Sequence, residues 1–377
     1  PSDAEVVSHK LLSKAGFIQK LMSGVYSYTP TMWRVLKKVT DIVSEEMDRA
    51  GAQETRLPIM QPSSIWKETN RWDRYIAEKL MYLVDDSRGG ELCLGPTHEE
   101  ACTDLVRTFV NSYKQLPLNI YQINTKFRNE IRPRFGLMRS REFIMKDAYS
   151  FDKDIEGLDK SYEKMLIAYK NIFKSCGLDF VIVDADSGAI GGSGSQEFMV
   201  TAERGEDTII YCDSCGYAAN VEKAESRIQE YEQEKEKLPM EKVLGKGIIG
   251  VDALAEYLNI PVWKTTKTLL FEADDKIVAV MVRGDCDVNE VKVQNYIGST
   301  TFHLTTAEKI KELTGAEVGY AGPIGLPKNI RIVADNYVKN RVNLECGANE
   351  TDYHNINVNL GRDFEITEFG DFKLAKA

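Results

Sequence analysis

Apolar positions along this chain recur with two periods, and each change of period marks an element. From Thr31 to Ala50 the residues Met32, Val35, Leu36, Val39, Ile42, Val43 and Met47 fall at helical spacing, with Gly51 as the stop. Val7 to Leu21 carries the same spacing, broken by Gly16, and predicts another helix ahead of a strand at Gly24–Tyr28. Gln53–Met60 reads as a strand leading into Pro58 and Pro62, and Leu80–Val84 with Glu91–Leu94 as a strand pair around the turn 85–90. Thr97–Ser112 predicts a helix. Tyr121–Phe127 and Ser140–Lys146 predict a hairpin whose loop lies at about 131–139, and Leu158–Cys176 a helix stopped by Gly177. Strands follow at Phe180–Asp184, Glu197–Ala202 and Thr208–Cys212. Helices flanking antiparallel sheet predict an α+β fold, not regular βαβ alternation.

The pattern changes at Gln229–Lys237, a charge run followed by Pro239, which marks the best domain boundary. Beyond it, Val251–Leu258, Val288–Tyr296 and Thr306–Thr314 read as helices. Thr268–Phe271, Ile277–Val282, Ile330–Ala334 and Ile356–Asn359 read as strands. The expected organisation is a first domain over 1–223 and an α/β domain over 224–377. Gly192-Ser193-Gly194 lacks a third glycine at dinucleotide-binding spacing and precedes a strand, so a Rossmann site is not supported; no P-loop sequence occurs.

A net charge of -10 over 377 residues argues against a general nucleic-acid coat. The charge is uneven, however. Lys126, Arg128, Arg132, Arg134, Arg139, Arg141 and Lys146 face only Glu130 and Glu142 within one short strip, which suits phosphate groups. Seven scattered cysteines do not read as a disulfide framework and fit a reducing cytoplasm. No apolar run approaches the roughly 18 residues of a membrane span, and Pro1–Glu5 carries no signal-peptide pattern. Cys212-Asp213-Ser214-Cys215 has zinc-knuckle spacing but gives two ligands where structural zinc takes four. It reads as incidental, or as half a site completed downstream, and no metal site is expected within the chain.

The basic strip has an order beyond its charge. Phe127-Arg128-Asn129-Glu130, a loop, then Arg139-Ser140-Arg141-Glu142-Phe143 sit on the two strands of the predicted hairpin. Alternate residues share a face, so Arg128 goes with Glu130, and Arg139 with Arg141 and Phe143. Guanidinium groups bind phosphate bidentately, a carboxylate accepts from an exocyclic amine, and a ring stacks on a base. These are the parts of an ATP site built on a sheet. Arg128 and Glu130 alone would suit a surface ion-pair ladder equally well.

The order Phe-Arg-x-Glu, loop, Arg-x-x-x-Phe resembles the second signature motif of class II aminoacyl-tRNA synthetases. Gly51 and Pro58-Ile59-Met60, after the helix 31–50, resemble the first, which in that family forms a dimer interface. The closer resemblance is to bacterial-type prolyl-tRNA synthetases. It is carried by Asp3–His9, Leu94–Glu100, Ser112–Leu118, Arg132–Gly136, Met145–Phe151 and Ile190–Ser193. It implies an antiparallel class II catalytic core, a homodimer and a cytoplasmic translation enzyme. It also implies activation of proline by ATP with Mg2+, and ligation to the tRNA for proline. By resemblance, Thr97, Glu99 and Arg128 contact proline and its adenylate. Arg128, Glu130, Arg139, Ser140 and Phe143 bind ATP, with Glu130 at the adenine amine, Phe143 stacked on the ring and Arg139 with Ser140 at the outer phosphates. His98, at a predicted helix start, reads as structural. Gln196 replaces a histidine of some relatives, so no role passes to it.

The segment 224–377 resembles the family's editing insertion, which hydrolyses alanine mischarged on the tRNA for proline. A proline pocket cannot strongly exclude a smaller apolar amino acid, so such a domain has a physical purpose. The matched residues are Lys267, Asp335, His354 and the loop from Gly322 to Gly325. Without the family, Lys267 would read as a solvated lysine and His354 as a surface residue. The third class II motif and the anticodon-binding domain are not found, which predicts an N-terminal portion of the enzyme, inactive in aminoacylation alone. The alternatives are a freestanding tRNA-editing or tRNA-binding protein, or a regulatory module, with a degenerate synthetase-like domain. The intact Thr97, Glu99 and Arg128 positions argue against both.

Overall fold

The structure, a computed structural model, describes residues 4, 6–87, 89–186, 194–202, 205, 207–366 and 368–376. It divides into two compact units, Pro1–Phe180 with Ala202–Arg204, and Val181–Thr201 with Gly205–Ala377. The segments Asp3–His9 and Ile190–Ser193 lie partly or wholly outside the described residues.

The first unit runs α1 (Val7–Lys14), β1 (Ile18–Met22), β2 (Val25–Tyr28), α2 (Pro30–Arg49), β3 (Gln53–Glu54), β4 (Met60–Pro62), α3 (Ser63–Glu68) and α4 (Trp72–Ala77). It continues with β5 (Tyr82–Asp85), β6 (Glu91–Leu94), α5 (Glu99–Phe109), β7 (Leu118–Phe127), β8 (Glu142–Phe151) and α6 (Ile155–Ser175). Local chemistry sets the long helices. Pro30 opens α2 behind the Thr29 cap, and Asp154 caps α6 by accepting from Gly157 N at 2.9 Å. The hairpin β7–β8 pairs continuously from Leu118↔Phe151 to Phe127↔Glu142, with β3 parallel to β7 at its side.

Strand alternation then divides the work of β7. Tyr121 and Ile123 face Val43 and Met47 of α2 and Met165 and Tyr169 of α6. Ile120 faces Cys102 and Val106 of α5, on the opposite side. Gln122, Asn124 and Lys126 are in phase with Ile120 and are all buried. The sheet is thus apolar toward α2 and α6 and polar toward the segment that leads into α5.

The second unit contains β9 (Val181–Ala185), β10 (Ser195–Met199), β11 (Ile209–Tyr211), β12 (Ala218–Asn220), β13 (Glu241–Leu244), α7 (Val251–Leu258), β14 (Thr266–Ala273), β15 (Lys276–Arg283) and α8 (Glu290–Ile297). Then come β16 (Phe302–Leu304), α9 (Ala307–Thr314), β17 (Arg331–Asp335), β18 (Leu344–Gly347), β19 (Tyr353–Val358) and β20 (Glu368–Gly370). Its main sheet is mixed, in the order β16-β14-β15-β17-β20, with parallel pairs β15–β17 and β17–β20. An antiparallel sheet β13-β19-β18 and a four-stranded sheet β10-β9-β12-β11 complete it. The almost fully apolar strand Val278–Val282 is buried throughout, as a central strand covered on both faces requires. No helix among the described residues is long and apolar enough to cross a membrane.

Two expectations change. Residues 18–21 are strand, because Gly16 adopts φ 71° and the chain turns back into the β1–β2 hairpin; Leu21 is exposed there. The strand expected over 53–60 is two short strands. Between them Leu57 N donates to Gln122 Oε1 (3.0 Å), and Leu57 O accepts from Asn124 Nδ2 (2.9 Å), so side chains replace the backbone ladder. The charge run 229–237 is docked on the second unit. Tyr231 stacks on Trp263 at 4.7 Å, Gln229 O accepts from Arg283, and Glu234 pairs with Lys264.

Candidate active site

Beyond Phe127 the two hairpin strands stay joined, because Arg128 N donates to Arg141 O at 2.9 Å. Lys126 lies opposite Phe143 in the register, and Arg128 continues the same face, with its guanidinium over the Phe143 ring at 5.4 Å. Arg128 Nε donates to Pro96 O at 3.3 Å, which brings the arginine beside the segment 95–99. Glu130 Oε2 accepts from Arg139 Nε at 2.7 Å, and Glu130 Oε1 from Arg132 N at 3.1 Å. Burial pushes the Glu130 carboxyl up, but Arg139 and the backbone N–H donors outweigh it and hold the group below the ordinary glutamate range. Arg141 Nε donates to Glu130 O (2.8 Å), while Ser140 is buried. The loop is closed by an Arg134↔Arg139 bridge, with Phe135 and Gly136 at positive φ.

The segment 95–100 is held by the polar face of the sheet. Helix α5 begins at Glu99, so Thr97 and His98 precede it. Gln61 Nε2 donates to Thr97 O (3.1 Å), and its Oε1 accepts from Trp66 Nε1 (2.8 Å). A Cβ on Gly95 would stand 2.5 Å from Gln61 Nε2, so this approach requires glycine. His98 N donates to Tyr149 OH (3.0 Å), and Tyr149 OH donates to Asp147 Oδ2 (2.6 Å). Gln122 Nε2 also donates to Asp147 Oδ2 (2.9 Å), and Lys126 Nζ lies 2.7 Å from Asp147 Oδ1. The His98 ring stands 3.0 Å from Pro58 O, and burial, then Lys126, lower its pKa. A neutral, fully buried imidazole bonded to backbone orients the segment.

Glu99 and Glu100 open α5 side by side, and both meet Arg71. Its Nη1 is 2.8 Å from Glu100 Oε1 and 3.4 Å from Glu99 Oε2. The sequence gives no sign of Arg71, which lies in an aromatic, acidic stretch without period. Lys126 and Asp147 carry a weak signal: charged residues in phase with the apolar positions of strands.

The editing set stands in two neighbourhoods. Lys267 Nζ donates to Cys286 O (2.8 Å) and to Asp287 Oδ1 (2.7 Å). Asp335 is buried and accepts from the N–H groups of Tyr337, Phe372 and Lys373. The other neighbourhood holds His354, whose Nδ1 is 2.9 Å from Glu345 Oε1; burial raises the pKa of Glu345. Thr266 Oγ1 donates to Glu345 O (2.8 Å), so Thr266 and Lys267, adjacent on β14, face opposite sides of the sheet. Asn349 ties the loop of Gly322 to the β18–β19 turn: its Oδ1 accepts from Gly322 N (2.8 Å), and its Nδ2 donates to Ile324 O (2.7 Å). Gly325 adopts φ 80°. Among the described residues no three metal-ligating side chains come together; Cys212 and Cys215 lie in the turn between β11 and β12.

A family model described as the tRNA synthetase class II core domain (G, H, P, S and T) matches residues 82–315. The chain is 52% identical over 376 residues to the proline–tRNA ligase of Halothermothrix orenii, covering 100% of this chain and 66% of that protein. It is 53% identical over 378 residues to the proline–tRNA ligase of Syntrophus aciditrophicus, covering 100% and 65%. The chain thus spans about 65% of the length of the curated relatives it matches. A solved Giardia lamblia prolyl-tRNA synthetase in complex with prolyl-adenylate aligns at TM-score 0.43 and 21% identity, over 46% of this chain and 36% of that one, which is too slight a likeness to carry an argument. On the family match and the identity along its whole length, the chain belongs to the class II tRNA synthetase core family, and the relatives named here are proline–tRNA ligases.

Proposed function

We propose that the full-length protein activates proline with ATP and transfers it to the tRNA for proline. The observation that carries this reading is the placement of Arg128, fixed between Pro96 O and the Phe143 ring beside Thr97 and Glu99. Proline presents a secondary ammonium and a carboxylate. Glu99 and the Thr97 hydroxyl accept from the ammonium, while Arg128 binds the carboxylate and the α-phosphate. A proline carboxylate oxygen attacks the α-phosphorus, the bond to the bridging oxygen breaks, and pyrophosphate leaves. A terminal hydroxyl of the tRNA then attacks the prolyl carbonyl and releases AMP. The chain forms no covalent bond; its contribution is orientation and stabilisation of the charge on the α-phosphate oxygens as the carboxylate attacks. Phe143 stacks on adenine, Glu130 accepts from its amine, and Arg139, with Ser140 beside it, holds the outer phosphates. Mg2+ would accompany the ATP and offset the charge of its phosphates.

The test is proline-dependent exchange of pyrophosphate into ATP by the full-length protein. Arg128→Ala should lose at least ~10²-fold, the scale for removing one charge-stabilising donor. Near wild-type exchange in that variant would sink the assignment.

The segment 224–377 is proposed to hydrolyse alanyl-tRNA for proline, because it resembles the editing insertion of prolyl-tRNA synthetases and the alignment with the relatives runs through it. Lys267, whose carboxylate and carbonyl partners a phosphate can replace, would hold the tRNA terminus. Asp335 is buried in the neighbourhood of Lys267, whereas His354 and the Gly322–Gly325 loop belong to the other neighbourhood, so their part in the reaction would be separate from that of Lys267. A cytoplasmic homodimer through the region of α2 and β4 is proposed as well. Trp33, Val35, Val39 and Met60 are exposed there, more apolar side chain than one helix and one strand normally leave to water.

A further inference from the structure

Glu99 and Glu100 stand in the first turn of α5, and one cation, Arg71, serves both. Arg71 is firmly held. Its guanidinium lies over the rings of Trp66 (5.2 Å) and Tyr75 (4.8 Å), it bonds the Tyr75 hydroxyl, and its own N–H donates to Trp66 O (3.0 Å). The two carboxylates are not equivalent. The Glu100 side chain is fully buried, 2.8 Å from Nη1, and its Oε1 also accepts from Thr69 Oγ1 at 3.0 Å. The Glu99 side chain is 33% exposed and lies 3.4 Å from the same nitrogen. One cation among two carboxylates leaves one net negative charge, and the geometry leaves it on Glu99.

We propose that Glu100 is a positioning residue for amino-acid selection: by drawing Arg71 Nη1 to 2.8 Å it holds that guanidinium at the longer 3.4 Å from Glu99, so that the Glu99 carboxylate is left to meet the ammonium of the substrate. This rests on the proline-activation reading above and deepens it. A carboxylate bonded by a guanidinium at full strength has less capacity for a second cation, because charge-assisted bonds compete for the same lone pairs. Both carboxylates accept from Nη1, which carries two hydrogens, so a small shift of Arg71 shortens one bond and lengthens the other. Glu100 therefore acts on the substrate's amine without touching it.

The experiment measures proline-dependent pyrophosphate exchange with the full-length protein. Glu100→Gln keeps the volume and removes the charge; it should raise KM for proline about 10-fold and leave KM for ATP within about 2-fold. Adding Arg71→Met in that background removes the competing cation and should return KM for proline to within about 3-fold of wild type, a recovery that a merely structural ion pair would not give. An unchanged proline KM in Glu100→Gln, or a double variant no better than the single, overturns the proposal. Should Glu100→Gln not fold, Thr69→Val removes the hydroxyl that lies 3.0 Å from both Glu100 Oε1 and Trp66 O and leaves the Glu100 charge in place. That variant should raise KM for proline about 2-fold, and a flat result overturns the proposal equally. A wild-type protein that shows no proline-dependent exchange refutes the activation reading itself, whereas exchange by wild type with flat variants refutes only the role of Glu100.

Discussion

Replacing Asp147 by Asn tests the polar side of the hairpin directly. Lys126 has a fully buried side chain, and the carboxylate 2.7 Å away is the ion-pair partner that neutralises it. Asparagine keeps the shape and retains an acceptor for Tyr149 and Gln122, so the change is almost purely one of charge. Removing one partner of a buried pair costs about 3–5 kcal/mol, against about 0–1 for an exposed pair. Asp147→Asn should therefore lower the urea midpoint of the first unit by about 1–5 M at a slope of about 1–3 kcal/mol per M, read by fluorescence of Trp66 and Trp72. The pH dependence has a definite sign. Burial lowers the Lys126 pKa below 10.5, against the opposing pull of Asp147, and the substitution removes that pull. A lysine whose folded pKa lies below its unfolded value destabilises the fold while charged, so stability returns as pH rises through the folded pKa toward 10.5. The deficit of the variant should shrink between pH 7 and pH 10. Lys126→Met in the Asp147→Asn background removes the stranded ammonium and should recover most of the loss. A deficit below about 1 kcal/mol, or one that neither alkaline pH nor Lys126→Met relieves, would refute the argument.

Two more outcomes follow from the proposed activities. Lys267→Ala should slow deacylation of alanyl-tRNA for proline roughly 10-fold while proline-dependent exchange stays within about 2-fold, as kinetics on the full-length protein will show; loss of exchange with deacylation intact would reverse the division of labour. Trp33→Glu puts a carboxylate into the exposed apolar face of α2 and should convert the proposed dimer to monomer in sedimentation, with a circular dichroism spectrum unchanged; a dimer that persists places the interface elsewhere.

The sequence made β7 legible because Tyr121, Ile123, Thr125 and Phe127 alternate with the more polar Gln122, Asn124 and Lys126, a period of two that a helix does not give. Helices α2 and α6 were legible for a similar reason, since each carries a long apolar stripe and a cap. Residues 18–21 misled because Ile18 and Leu21, three apart, continue the helical spacing, and the deciding feature is the positive φ of Gly16. The expected strand 53–60 failed where Gln122 and Asn124, distant in sequence, took over the backbone bonds of Leu57. Within the candidate site, Thr97, Glu99 and Arg128 were found as chemical groups. Arg71, Glu100 and Asp147 were not, because a partner's role depends on what folds against it. The charge run 229–237 was placed by charge inside the segment 224–377, but its packing of Tyr231 on Trp263 has no signal in the sequence.

The two faces of β7 have a consequence for how this gene can vary. Odd positions such as Tyr121 and Ile123 belong to the seam with α2 and α6, and even positions from Gln122 to Lys126 to the polar side. A substitution alters one letter on one side, but inserting or deleting a single residue within 118–127 exchanges the two sides from that point onward. Lys126 would enter the apolar seam of Met47 and Met165, and Asp147 would lose its counter-charge. Length is therefore locked in the strand while composition is not, and the nearest place able to absorb a length change is the loop between Arg132 and Met138. Descent in this protein should show substitutions scattered across the hairpin and gaps gathered at its tip.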